Sequence, residues 1–468
     1  MTLSLPPSLA INAWTGEESP SSPLDSGALV WGLKRRATPP DELLAPAPAV
    51  DFRDWKHGDV GWGLVLPENE TITPAARATA DDAPEPIQKL LASRPGSPVL
   101  RYRANLQNGY LRRYTATGSY KEPALAGGLR GVSPGALPRY LLIYGTPDVI
   151  PWQFQYTANM SCYVGRLSLT GERLSRYVEA LVNDWKNASS HPEAPVVWSV
   201  NKGEPDISWL MDHVISRPLF DAFGADTDLQ ARQGCFGATA TASELGKALS
   251  KAKPSLILTT SHGKTGPLNI PAQMRADLGL LVDAQNQVVR PEDLLATWSP
   301  GGSIWYAHAC CSAGSDAQSR YVDLFDAGSS IVTVLAAVAK SCGASVAPFP
   351  EALLGAESPL RAFVGHVEPT FDWTLRDPET GQPLVHSLRD ALYQRLYQQS
   401  HRVPIAYALE KVFVDAGAFL MQWLEAVDAV NKNEPKARER ALYRQLAALD
   451  RIQTVILGDP TVALPLLH

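Results

Sequence analysis

Apolar positions in this chain gather in short unbroken runs, and the stretches between them carry apolar residues at helical spacing. Runs at 140–144, 162–167, 196–200, 256–260 and 361–367, with another opening at Ile304, are rich in branched and aromatic side chains and end in turn residues. Such runs fit strands buried on both faces. Helical spacing fills 170–186, where Thr170 stands as an N-cap candidate and Glu172 lies in the first turn, then 207–223 and 241–250. It returns over 404–430 and 437–449, while 331–338 fits a helix or a strand equally well. Strands alternating with helices predict an α/β fold, a mostly parallel sheet with helices on both faces.

Two runs end in reactive side chains. Leu256-Ile257-Leu258-Thr259-Thr260 leads into Ser261-His262-Gly263. Ile304-Trp305-Tyr306-Ala307 leads into His308-Ala309-Cys310-Cys311-Ser312-Ala313-Gly314. Ligands of open α/β sheets bind beyond the carboxyl ends of the strands. Parallel neighbours lie about 4.8 Å apart, so the two runs, if adjacent, bring an imidazole and a thiol together. A thiolate is a strong nucleophile, and a nearby imidazole lowers the thiol pKa and returns the proton to a leaving amine. Gly263 lets a substrate approach closely and offers its N–H to an oxyanion. Successive strand side chains point to opposite faces, so one cysteine of the pair faces His262. The motif resembles that of caspases, in which the nucleophile directly follows alanine, and this resemblance favours Cys310; some relatives carry glycine three residues after the nucleophile, which would fit Cys311.

Other patterns carry less. Gly131-Val132-Ser133-Pro134-Gly135 has the outline of a serine nucleophile elbow, but Pro134 lacks the N–H that such a site needs. Gly263-Lys264-Thr265 resembles the end of a phosphate loop, but Leu258 stands where that loop requires glycine. His308, Cys310 and Cys311 lack a spaced partner pair for zinc.

Composition narrows the function. The 468 residues hold 42 Lys and Arg against 48 Asp and Glu, a net charge of −6, which gives no electrostatic support for nucleic-acid binding. Five cysteines do not suit a secreted disulfide framework. The first residues lack the pattern of a signal peptide, and the most apolar later stretch, 331–339, is too short for a bilayer. A cytoplasmic protein with no membrane partner is expected. Residues 1–95 are rich in proline and acids, with Ala45-Pro46-Ala47-Pro48 and Asp81-Asp82-Ala83-Pro84-Glu85-Pro86 reading as linkers or extended segments. This predicts an irregular or β N-terminal accessory region over 1–95, and a main domain with a C-terminal helical segment over 96–468.

The two reactive motifs resemble those of the bacterial caspase-like cysteine peptidases, the clan of caspases, gingipains and CHAT peptidases. Tyr140 to Gly145 running to Ile150-Pro151, Tyr163-Val164-Gly165-Arg166-Leu167, Gly365-His366-Val367 and Leu457-Gly458-Asp459-Pro460 extend the resemblance over residues 140–460. It implies a caspase–haemoglobinase-like sheet, peptide-bond hydrolysis through a thioester, and no cofactor. It implies a protein or peptide substrate and an upstream activating protein, in the setting of bacterial defence or cell death. A catalytically degenerate scaffold of the same fold is the alternative.

A pocket for arginine or lysine needs a carboxylate, because an unpartnered buried cation is costly. Asp148, in the turn after the first run, and Asp316, six residues past Cys310, are the candidates. Asp148 shares the sheet edge of the reactive pair if all strands are parallel. Cleavage after aspartate would need clustered arginines, and only Arg320 is near Cys310 in sequence. Cleavage after a basic residue is therefore expected.

Overall fold

The computed structural model describes residues 5–31, 50–106, 108–397 and 400–467. The predicted linker Ala45-Pro46-Ala47-Pro48 lies outside them.

Ten strands form one sheet. In chain order they are β1 (Trp62–Pro67), β2 (Val99–Tyr102), β3 (Tyr140–Tyr144), β4 (Tyr163–Leu167), β5 (Val196–Ser199), β6 (Gln233–Phe236), β7 (Leu256–Thr260), β8 (Ile304–His308), β9 (Ala362–His366) and β10 (Thr454–Gly458). Across the sheet they run β6-β5-β7-β8-β9-β10-β4-β3-β1-β2. Every neighbouring pair is parallel except β9 and β10. The expected α/β fold, a mostly parallel sheet flanked by helices, is the one observed. The antiparallel join has a consequence that the sequence did not show. β10, β4, β3, β1 and β2 run opposite to the other five strands, so their carboxyl ends lie at the opposite sheet edge.

Alternation within strands explains how both faces are covered. Leu64, Leu66, Tyr140 and Leu142 enter the main core, while Val65, Leu141, Ile143 and Val164 pack on Phe154 and Ile150 across the sheet. The helices follow local chemistry. Ala242–Ala252 (α1) starts at Thr241, whose hydroxyl accepts the Glu244 N–H, and stops at Lys253 in the left-handed region. The ambiguous stretch near 331 is the helix Ser330–Cys342 (α2). Ser329 caps it by accepting the Val332 N–H, and Gly343 ends it with φ +61°. Thr170 occupies the N-cap of the helix Gly171–Val182, but its side chain makes no capping bond.

The boundary expected near residue 95 does not divide the sheet. β1 lies between β3 and β2. The buried Asp459 carboxylate accepts hydrogen bonds from Trp62 Nε1 at 3.1 Å and Arg94 at 3.1 Å, tying this part to the C-terminus. Nor is 81–86 a free linker. Asp82 forms a two-pronged pair with the buried Arg101 at 2.8 and 2.9 Å, and Glu85–Ala92 is helical. Residues 9–22 are irregular with short β pieces, as expected, but they reach across the molecule to the carboxyl ends of β7 and β8.

Candidate functional site

β7 and β8 are parallel neighbours, with Thr260 opposite His308. Beyond β7 the chain continues as a short strand, His262–Lys264, paired antiparallel to Leu281–Val282 and parallel to Ala13–Trp14. His262 is fully buried. Its Nε2 lies 3.0 Å from both carboxylate oxygens of Asp206. Its Nδ1 lies 3.3 Å from Ser19 Oγ, whose hydroxyl donates to the Ile11 carbonyl at 2.8 Å. With Nε2–H donating to the Asp206 carboxylate, Nδ1 is the nitrogen that faces the Ser19 hydroxyl.

Asp206 caps the helix Ile207–Met211, accepting the Ser208 N–H at 2.8 Å. Burial would raise its carboxyl, but the hydrogen bond from His262, that residue's charge and Ser208 together hold it at about 2. Sequence reasoning missed Asp206. The available signal was an aspartate directly before a helix, in the loop that leaves a buried strand.

Gly263 is needed for space. A Cβ there would fall 1.9 Å from the Cys310 carbonyl oxygen. Its N–H, expected to serve an oxyanion, donates to the Asn12 carbonyl at 2.7 Å.

β8 ends at His308, and a tight turn follows. Ser312 holds it by donating to the Ala307 carbonyl and accepting the His366 N–H, while the Ala313 N–H donates to His366. Cys311 sits in the left-handed region at φ +53°. The strand alternation used to choose between the cysteines therefore stops before it reaches them. Their sulfurs are 3.4 Å apart and both thiols are free. Both cysteines are packed in the core, and Cys311 also lines a small cavity of about 10 Å³. The neighbouring Cys310 thiol, together with burial, holds the Cys311 thiol well above its ordinary range.

Asp316 lines the same cavity, as do Thr265, Ser315 and the apolar Val334, Leu335 and Val338 of α2. A second carboxylate, Glu368, also lines it; sequence reasoning missed this residue. Burial pushes Glu368 up to about 7 and raises Asp316 as well. Asp148 is not part of this group. It is exposed at the end of β3, which runs opposite to β7 and β8, so the premise that placed it beside the reactive pair fails. His308 also turns away from the cysteines. Its Nδ1 bonds the Tyr306 hydroxyl at 2.8 Å, and it packs on His366 against a different cavity.

No helix among the described residues is long and apolar enough to cross a membrane. No family model and no curated protein matches the chain. Among solved structures, the complex of the Porphyromonas gingivalis RgpB pro- and mature domains is similar over 86% of this chain and 80% of that one, at 11% identity and a TM-score of 0.42.

Proposed function

We propose that this protein is a cysteine endopeptidase. The observation that carries the reading is the pair of a buried His262 and a half-buried Asp206 set beside a cysteine-bearing turn, at the carboxyl ends of two adjacent parallel strands. In this reading Cys311 is the nucleophile, because it lines the cavity that Asp316 and Glu368 share and Cys310 does not. This replaces the choice of Cys310 suggested by sequence.

His262 takes the Cys311 proton, and the thiolate attacks the peptide carbonyl carbon. A C–S bond forms as the carbonyl electron pair moves to oxygen, which the Gly263 N–H receives. The pair returns, the C–N bond breaks, and the imidazolium protonates the leaving amine. Water, deprotonated by His262, then cleaves the thioester and restores the thiol. Asp206 is a positioning residue that holds the imidazole and fixes its tautomer. Asp316 and Glu368 supply negative charge for a lysine or arginine side chain before the scissile bond.

Paired fluorogenic peptides differing only in lysine, arginine or aspartate at that position test the reading. Hydrolysis of the basic peptides by protein whose cysteine turn is opened to solvent, lost in Cys311→Ala and His262→Ala, is expected. Hydrolysis that survives in Cys311→Ala but not in Cys310→Ala would reverse the choice of nucleophile. Faster cleavage after aspartate would overturn the assigned specificity.

A further inference from the structure

The segment 9–22 meets the reactive groups one after another. The Asn12 carbonyl accepts the Gly263 N–H at 2.7 Å, in the place where a substrate oxyanion would be received. Ser19 Oγ lies against His262 Nδ1 at 3.3 Å, the imidazole nitrogen that Asp206 leaves available. The Trp14 ring lies 5.9 Å from the imidazole, and its carbonyl accepts the Thr265 N–H at 3.0 Å. On its other side the segment bridges antiparallel from Ile11 to Phe371, and Asn12 Oδ1 accepts the Thr370 N–H at 3.3 Å. An extended peptide thus lies between the His262–Lys264 strand and the 370–372 turn, bonded through its backbone on both sides. Recognition of peptides by strand addition has this form, since backbone bonds hold the chain whatever its side chains are.

We propose that residues 9–19 are an internal occupant of the peptide-binding groove, so that the chain as it stands is latent and becomes active when this strap leaves. The proposal rests on the peptidase reading for the identity of the groove, but not for its occupancy.

The strap's hold is divided in a way that suits release. Leu9, Ile11 and Ala13 are buried, which anchors it. The buried Asn12 Nδ2 has no hydrogen-bond partner, so the docked state leaves a donor unmet. At its tip the turn 15–18 carries Glu17 and Glu18, and Glu17 is exposed. With the strap docked, His262 and Cys310 are fully buried and Cys311 is 2% exposed, so no substrate carbonyl has access to them.

The test uses the full chain with Ile11→Asp and Trp14→Asp together, which places carboxylates in apolar sites. Hydrogen exchange over residues 9–19 reports release. Mass spectrometry follows iodoacetamide alkylation of the peptide bearing Cys310 and Cys311. Release is expected to speed alkylation about tenfold or more, and a synthetic peptide spanning residues 8–22 is expected to slow it again where a scrambled one does not. If circular dichroism shows that the double variant is misfolded, Ile11→Ala with Trp14→Ala takes its place. Alkylation unchanged by a released strap overturns the proposal, as does equal peptide hydrolysis by the parent and released proteins. Alkylation gained without any hydrolysis leaves the strap standing and removes the peptidase reading.

Discussion

Replacing Asp206 by asparagine separates its charge from its geometry. The fall of its carboxyl from 3.8 to about 2 amounts to about 2.4 kcal/mol in favour of the ionised form, at roughly 1.4 kcal/mol per pH unit. The His262 hydrogen bond and charge, with the Ser208 N–H, supply this against the cost of burial. Asp206→Asn removes the carboxylate that holds the imidazole in place, and kcat/KM is expected to fall about tenfold. Asparagine still caps the helix, so stability at low pH is expected to be nearly unchanged. Asp206→Ala loses the cap as well, at a further cost of about 1 kcal/mol. The pH dependence has a definite sign. A lowered carboxyl stabilises the native state above its unfolded value of 3.8, and that stability is lost as pH falls through about 2. The assay is hydrolysis of a lysine peptide by the strap-released protein, alongside urea unfolding at pH 7 and pH 3. An Asp206→Asn enzyme within about twofold of its parent would refute the reasoning. So would activity losses that merely track unfolding.

Further outcomes follow from burial. Gly263→Ala brings a Cβ to 1.9 Å from the Cys310 carbonyl, and a cost of about 1–3 kcal/mol is expected in urea unfolding; an unchanged midpoint would contradict the packing. Glu368, raised to about 7, supports stability fully below 4.5 and loses it as pH rises through 7, by about 3 kcal/mol. Glu368→Gln should therefore be the more stable protein at pH 8, with weaker selection for basic peptides; equal stability to the parent at pH 8 would argue against the buried charge. His366, lowered to about 3 by burial and then by the Arg451 charge, acts with the opposite sign, its stability being present above 6.5 and lost as pH falls through 3. Between pH 6.5 and pH 4 this loss is about 3 kcal/mol, so His366→Gln should flatten the acid side of the stability curve. A curve with the parent's slope would show that His366 is not buried as a neutral ring.

The division between sequence and tertiary structure runs through particular residues. Runs such as Leu256–Thr260 and Ile304–His308 declare themselves, because a strand covered on both faces has no use for polar positions. Their order, and the His262-Gly263 and cysteine motifs at their ends, are local features that a linear reading can find. The same holds for α1, whose helical spacing is legible from residue 241, although its Thr241 cap is not. What lay beyond reach depends on contacts distant along the chain. Asp148 was misplaced because the single antiparallel pairing of β9 with β10 reverses half of the sheet, and nothing within either strand encodes its neighbour's direction. The choice between Cys310 and Cys311 could not follow from alternation, because Ser312 and His366 stop the strand short and turn Cys311 to a positive φ. Asp206 lies 56 residues from His262 and Glu368 lies 52 from Asp316, and their altered acidity exists only in the setting that folding creates. The sequence by itself determined the strands, their chemistry and the class of sheet, since those follow from short-range polarity. The tertiary structure alone decided which carboxylates meet the imidazole and the cavity, and that residues 12–14 pair with the His262–Lys264 strand, because these depend on where distant segments come to rest.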